Sequence, residues 1–198
     1  MKKIIAKIMR GMKWLCGYIS YLPTYYKRYK AAQADYDKID AQYGISELWN
    51  AGEREAATDL FASILNGLIT LPEPWVIDYS PVPENNNAGK RAVMGTYPSR
   101  LTIYVDLDKV KDSKAMMIGL RHEWQHIVQY YQILGLVKNA QLADVIFGLA
   151  GSKSIYYFNE LEIDACMASV SGYGNPLFDI TETVDRCVTK IIKLANRQ

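Results

Sequence analysis

Apolar residues recur at helical spacing between residues 45 and 71 and predict one amphipathic helix there. The positions that carry this pattern are Leu48, Ala51, Ala56, Leu60, Ile64, Leu65 and Leu68. Pro72 and Pro74 follow. Proline lacks the amide hydrogen that a helix interior requires, so we expect the helix to end before them.

Three short segments then change the pattern from helical to extended. Residues 75–79, 91–97 and 101–106 are rich in β-forming residues and are separated by Pro, Asn and Gly. The loop at residues 80–89 carries two prolines and three consecutive asparagines, which indicates an exposed connection. The three segments together predict a small antiparallel sheet.

Helical spacing returns after the strands and continues almost to the end of the chain. Ser113 is the expected N-cap of a helix that reaches residue 134 and ends at Gly135. Further helices are predicted at residues 140–149, 155–170 and 180–195. A helix, a small sheet and a run of helices predict the α+β class.

The first 30 residues form a basic arm that differs from the rest of the chain. They hold eight of the 23 basic residues and no acidic residue, which leaves 15 basic and 21 acidic residues elsewhere. Apolar residues from Ile4 to Ile19 share one side of a helical wheel, and lysines and Arg10 occupy the other. We expect the apolar side of this amphipathic helix to dock on the rest of the domain, on another subunit of an assembly, or on an anionic membrane surface. Nucleic acid is disfavoured, since no nucleic-acid motif accompanies the charges.

Cysteine usage and the N-terminal pattern bear on location. Cys16, Cys166 and Cys187 are odd in number and form no CxxC pair, which predicts free thiols in a reducing compartment. Lys7, Arg10 and Lys13 interrupt the apolar region that a signal peptide would need, and no cleavage site follows. We therefore expect a cytoplasmic or virion-associated protein and find no support for secretion.

The chain has two histidines, and both lie in the run His122, Glu123, Trp124, Gln125, His126. Histidines four residues apart on a helix project from one face, so their imidazoles can bind one metal ion. Glu123 is placed to act on a water molecule at that ion. Random placement would give this spacing followed by glutamate in roughly 1 case in 2,000. Packing of both imidazoles in the core without a metal is the weaker alternative.

A catalytic zinc site needs a third protein ligand, and with no third histidine it must be a carboxylate. The predicted helix at residues 155–170 offers Glu160 and Glu162. The face of Glu162 is mostly small or apolar, as expected where two helices pack closely, whereas that of Glu160 is more polar. Asp164 lies four residues after Glu160 and could orient a histidine. We favour Glu162 as the ligand, and Glu160 remains the alternative.

With these residues identified, the sequence resembles the glutamate-zincins over residues 101 to about 169. The resemblance implies a zincin-like domain with zinc bound by His122, His126 and a later glutamate, and with Glu123 as the general base. The later segment matches both an ExxxD form beginning at Glu160 and an ExxA form beginning at Glu162. The resemblance also implies that residues 101–106 lie along an extended peptide, which would bind by strand addition.

The same resemblance leaves one role open. No histidine remains to stabilise the oxyanion, and the candidates are four tyrosines: Tyr130, Tyr131, Tyr156 and Tyr157.

These observations predict a basic arm at residues 1–30 and a zincin-like metallopeptidase domain at residues 31–198. Within that domain, a small antiparallel sheet would pack on the helix that carries HExxH. The predicted function is zinc-dependent hydrolysis of a peptide or protein substrate by metal-activated water, with Glu123 as general base. The alternative is a structural component of a phage particle or other large assembly, with the arm as its anchor.

Overall fold

The computed structural model describes residues 34–83, 93–151, 160–171 and 179–196, and the predicted basic arm at residues 1–30 lies outside these ranges. In the described ranges the chain forms helices and one small sheet, which confirms the α+β class. The zincin-like architecture stays a prediction. No helix in these ranges combines the length and the apolar character needed to cross a membrane.

Seven helices and three strands occupy the described ranges. Helix α1 includes residues 34–43. The other helices are α2 (Ile45–Asn50), α3 (Arg54–Leu68), α4 (Ser113–Val137), α5 (Ala140–Gly151), α6 (Glu160–Ser171) and α7 (Ile180–Ala195). The strands are β1 (Val76–Asp78), β2 (Met94–Tyr97) and β3 (Thr102–Val105), with a short 3-10 turn, Pro98–Arg100, between β2 and β3. The predicted helix at residues 180–195 is confirmed with its bounds.

The single helix predicted at residues 45–71 is wrong, because the chain turns between α2 and α3. Gly52 adopts a φ of 88°, a left-handed conformation that glycine reaches without the steric cost of a Cβ atom. The turn lets Trp49 on α2 and Phe61 on α3 enter the same core, where they are 6% and 2% exposed. Burial of two large aromatic side chains outweighs continuation of one helix.

The predicted antiparallel sheet is partly wrong, because the sheet is mixed. Its order is β1-β3-β2, with β2 antiparallel and β1 parallel to β3. All four residues of β3 are buried, so the most apolar strand takes the centre and separates the two strands that precede it in the chain. With β3 between them, β1 becomes its parallel partner and β2 its antiparallel partner. The turn residues in the sequence predicted that each strand would pair with the next one along the chain, which is not the observed order.

Helix α4 is the central element, and its predicted ends were both misplaced. Asp112, and not Ser113, is the N-cap, and its carboxylate accepts a hydrogen bond of 2.8 Å from the Ala115 amide. The helix continues through Gly135 to Val137 and ends at Lys138, whose φ is 52°. Val137 packs on a buried cluster, which offsets the cost of about 1 kcal/mol for a glycine inside a helix.

Two hydrophobic clusters lie along α4. The first surrounds its N-terminal half and includes Trp124 and Ile127 together with side chains of α2, α3 and the sheet. The second surrounds its C-terminal half and includes Ile133 with side chains of α5, α6 and α7. His122 lies in the part of α4 that the first cluster surrounds, and the His126 ring lies 6.1 Å from that of Phe147, which packs on the second cluster. Cys187 is buried and Cys166 half-buried, and neither forms a disulfide among the described residues, while Cys16 lies outside them.

Candidate metal centre

Helix α4 presents His122 and His126 on one face. Trp124 and Ile127 are fully buried in the first cluster, which fixes the rotation of the helix about its axis. The two imidazole rings lie 4.9 Å apart between centroids and are nearly perpendicular, with an interplanar angle of 87°. Both rings consequently face the same neighbour, helix α6.

Helix α6 brings Glu162 to these two rings. Ala165 and Ala168 are 0% and 1% exposed, and their small side chains allow α6 to approach α4 closely. Glu162 Oε2 lies 3.3 Å from His122 Nε2, and Glu162 Oε1 lies 3.5 Å from His126 Nε2. One potential ligand atom from each residue lies within 4.8 Å of the others, so the three side chains could hold a metal ion.

The alternative ligand, Glu160, begins α6, but its side chain is outside the described part of the structure. The choice between the two glutamates as ligand therefore stays a prediction. The preference for Glu162 was based on the small and apolar residues that share its helix face. This face corresponds to the close packing of α6 on α4.

The separations within this cluster suit a shared cation better than direct hydrogen bonds. A hydrogen bond between imidazolium and carboxylate is normally about 2.7–2.9 Å long. Two ligands bound at about 2.1 Å in tetrahedral geometry lie about 3.4 Å apart, and each Nε2 has one Glu162 oxygen near that distance, Oε2 at 3.3 Å for His122 and Oε1 at 3.5 Å for His126. Glu162 Oε2 is also buried and receives no well-formed hydrogen bond from any described residue. The donor set therefore fits a metal ion.

The charges in this cluster depend on one another. Burial alone lowers the pKa of His122, but Cys166, Glu162 and the nearby charge of Glu123 raise it well above its usual value of 6.5. Burial likewise lowers the pKa of His126, but Glu162 raises it, and the net shift is upward. Burial would raise the pKa of Glu162, yet the two imidazoles hold it well below its usual value of 4.5. A cation binding here would replace a proton held by the same three groups.

Glu123 is oriented by strand β2. The Thr96 hydroxyl lies 2.7 Å from Glu123 Oε2 and 3.0 Å from the main-chain oxygen of Glu123, so its single proton can go to either acceptor. The hydroxyl ties the carboxylate of Glu123 to the sheet. The sequence carried no signal for Thr96, because only the packing of β2 on α4 brings it to the motif.

A buried polar network stands behind His126. His126 Nδ1 lies 2.9 Å from Gln129 Oε1, and Gln129 Nε2 donates to Asp164 Oδ2 at 2.7 Å and to the Leu161 main-chain oxygen at 2.9 Å. Gln125 Nε2 donates to the same carboxylate oxygen at 3.0 Å. The predicted contact of Asp164 with a histidine is thus made through an intervening glutamine. Gln125 and Gln129 lie on an otherwise apolar helix face, and buried polar groups require partners. The sequence therefore contained a signal from which this network could have been predicted.

With this geometry established, the chain can be compared with known proteins. No protein-family model, no curated protein and no solved structure matches it.

The strand expected to lie along a peptide is not available for strand addition. Strand β3 is paired with β1 over Thr102–Tyr104 and with β2 over Thr102–Val105, so this part of the prediction is wrong. The most buried strand needs a partner on each edge to satisfy its backbone groups. Among the described strands, β2 is the one that combines an outer edge with a contact to Glu123.

Two of the four tyrosines considered for oxyanion binding are described. Burial and a hydrogen bond with Asp144 raise the pKa of Tyr130 to about 12. The Tyr131 hydroxyl lies 3.5 Å from the main-chain oxygen of Glu73. Tyr156 and Tyr157 lie outside the described residues. Both described hydroxyls thus have interactions away from the three candidate ligands, and an oxyanion role stays a prediction.

A cavity of about 770 Å³ lies elsewhere, between the start of α3 and the loop after β3. Its lining includes Glu53, Arg54, Asp59, Tyr79 and Asp108, and it contains none of the three candidate ligands. The cavity is therefore separate from the metal centre.

Proposed function

We propose that this protein is a zinc-dependent peptide hydrolase in which His122, His126 and Glu162 hold the metal and Glu123 is the general base. The observation that carries the proposal is the convergence of three potential ligand atoms within 4.8 Å, with Glu123 next in sequence to the first histidine and its charge raising the pKa of both imidazoles. Two imidazoles and one carboxylate are a ligand set found in catalytic zinc sites of peptidases.

The donor types favour zinc over the common hard cations. Calcium and magnesium prefer oxygen ligands, whereas two imidazole nitrogens suit zinc and its transition-metal neighbours. Three protein ligands also leave a coordination position for substrate or water, as catalytic zinc sites require. A structural zinc site would use four protein ligands, and no fourth potential ligand joins the cluster among the described residues.

A bound zinc ion would supply Lewis-acid activation of water and of a peptide carbonyl group. In the proposed reaction Glu123 takes a proton from the attacking water and later delivers it to the leaving amine, which restores its carboxylate. Thr96 holds one oxygen of Glu123 at 2.7 Å and thereby limits rotation of the carboxylate. The low exposure of His122 and Glu162, 15% and 16% of their side chains, separates them from bulk solvent and so strengthens the electrostatic interactions within the cluster.

The substrate would be an extended peptide that pairs with the outer edge of β2. Unpaired amide and carbonyl groups on an edge strand can bind a peptide by strand addition. The contact between Thr96 and Glu123 means that a peptide on this strand would lie close to the general base. This orientation supports a peptide bond, rather than a small ester, as the scissile group.

Replacement of Glu123 by glutamine tests the proposal. Glu123→Gln keeps the size of the side chain but removes its capacity to accept a proton, so we expect zinc content and fold to persist while hydrolysis of a peptide library is lost. Glu182→Gln removes an exposed carboxylate of α7 and is the matched control, which should retain activity. Equal turnover by Glu123→Gln and the wild-type protein would remove Glu123 from this role.

A further inference from the structure

The hydrogen bonds around Gln129 can be assigned without ambiguity. Its amide nitrogen faces a carboxylate oxygen of Asp164 and the main-chain oxygen of Leu161, which are both acceptors. The amide oxygen of Gln129 must therefore face His126, and the Nδ1 atom of His126 must be the donor. A neutral His126 then carries its proton on Nδ1 and its lone pair on Nε2, the atom that faces Glu162.

We propose that Gln129 is a positioning residue that fixes the tautomer and ring orientation of His126 for metal binding, with Asp164 holding the glutamine in place. The inference rests on the proposed function, which it deepens by assigning a role outside the three ligands. A metal-binding histidine commonly donates its other ring hydrogen to a carboxylate or carbonyl group. Here the amide oxygen of Gln129 accepts that hydrogen, and the carboxylate lies one side chain further away.

Burial explains why water cannot replace this arrangement. Gln129 is 0% exposed, Asp164 3% and His126 6%. Unpaired amide or carboxylate groups at such positions would incur a large desolvation cost, so each group must find a protein partner. Two donors converge on Asp164, from Gln129 at 2.7 Å and from Gln125 at 3.0 Å, and both come from α4. The carboxylate on α6 is thereby fixed relative to the helix that carries His126.

Gln125 provides the matched control for Gln129. Both are buried glutamines of α4 that donate to the same oxygen of Asp164, but among the described contacts only Gln129 meets a histidine. If both glutamines only join α4 to α6, their substitution should change zinc affinity equally. If Gln129 positions a metal ligand, its substitution should weaken zinc binding more than that of Gln125.

The experiment measures zinc affinity of the full chain by competition with a chromophoric chelator. Gln129→Met should weaken zinc binding about 10- to 100-fold, as loss of a group that orients a metal ligand generally does. Gln125→Met should change it less than about 3-fold, because His126 keeps its acceptor. Equal losses in the two variants would overturn the proposal while leaving the metal site itself intact.

A second measurement needs no metal. Nitrogen-15 NMR of histidine in the metal-free wild-type protein, at a pH where the imidazoles are neutral, should show His126 protonated on Nδ1. With two histidines in the chain, His122→Gln assigns the signals. Protonation of His126 on Nε2 would overturn the role of Gln129. Failure of the proposed function would appear separately, as absence of zinc binding by the wild-type protein.

Discussion

The contact between Thr96 and Glu123 offers a sharp test of how the general base is held. Thr96→Val replaces the hydroxyl by a methyl group of similar size and keeps a β-branched residue that suits strand β2. The change therefore removes the hydrogen bond to Glu123 Oε2 without disturbing the packing of the strand on α4. Zinc affinity should persist, because the described hydrogen bonds of Thr96 go to Glu123 and not to a candidate ligand.

The size of the effect follows from the type of hydrogen bond. Hydrogen bonds to charged groups contribute about 1.5–3 kcal/mol. Thr96 is half-buried, so water can partly replace the lost donor and the lower end applies. A loss of about 1.5 kcal/mol in transition-state stabilisation corresponds to about a tenfold fall in kcat/KM.

The assay is hydrolysis of the best substrate from a peptide library, with zinc content measured in parallel. Thr96→Ser retains the hydroxyl and should keep most of the activity. A double-mutant cycle with Glu123→Gln, read from residual turnover at high enzyme concentration, separates an effect through the base from an effect on the strand. If Thr96 acts through Glu123, the second substitution should add little to the loss caused by the first.

Two results would refute this reasoning. Wild-type kcat/KM in Thr96→Val would show that the hydrogen bond does not matter for turnover. A tenfold loss that is fully additive with Glu123→Gln would show that Thr96 acts elsewhere, for example on peptide binding along β2.

Two further predictions concern pH and helix packing. In metal-free protein, the raised pKa values of His122 and His126 contribute stability that is full below pH 6.5 and is lost as the pH rises through their folded-state values. The lowered pKa of Glu162 contributes stability above pH 4.5, lost as the pH falls towards its folded-state value. Urea titrations of the chelated protein should therefore find the highest free energy of unfolding between pH 4.5 and 6.5, and a continued rise above pH 6.5 would contradict this. Gly119→Ala places a Cβ atom 2.8 Å from Met94 Sδ, and the crowding should lower turnover by displacing β2. The free energy of unfolding in urea should change by less than about 1 kcal/mol, because alanine gains about that much over glycine inside a helix. Unchanged turnover would show that Met94 simply moves aside.

The predictions that the structure confirms are those of helices with a clear local spacing of apolar residues. Helix α7 has the strong apolar stripe of an amphipathic helix and was found with its bounds. The motif helix was also found, because helical spacing extends on both sides of His122 and His126. Local spacing suffices where one face of an element is buried against a single surface.

The elements that failed depend on contacts between distant parts of the chain. The break at Gly52 is favoured because Trp49 and Phe61 share a core, and the parallel pairing of β1 arises because β3 takes the centre of the sheet. Neither choice leaves a periodic signal in the sequence. Turn residues indicated that strands exist but not which of them become neighbours.

The sequence predicted the three candidate ligands but missed two residues that contact the site. The spacing of the histidines placed them on one helix face, and the small residues around Glu162 indicated close packing between helices. Thr96 and Gln129 were missed for different reasons. Thr96 reaches Glu123 only through tertiary packing, whereas Gln129 was visible as a polar residue on a buried helix face whose need for a partner went unused.

The most direct test of the central claim is zinc content by elemental analysis of three purified full-length proteins: the wild type, Glu162→Ala and Glu160→Ala. If His122, His126 and Glu162 hold the metal, the wild type and Glu160→Ala should each retain about one zinc ion per chain, and Glu162→Ala should lose it on mild dialysis against a chelator. Retention of zinc by Glu162→Ala, or its absence from the wild type, would contradict the account.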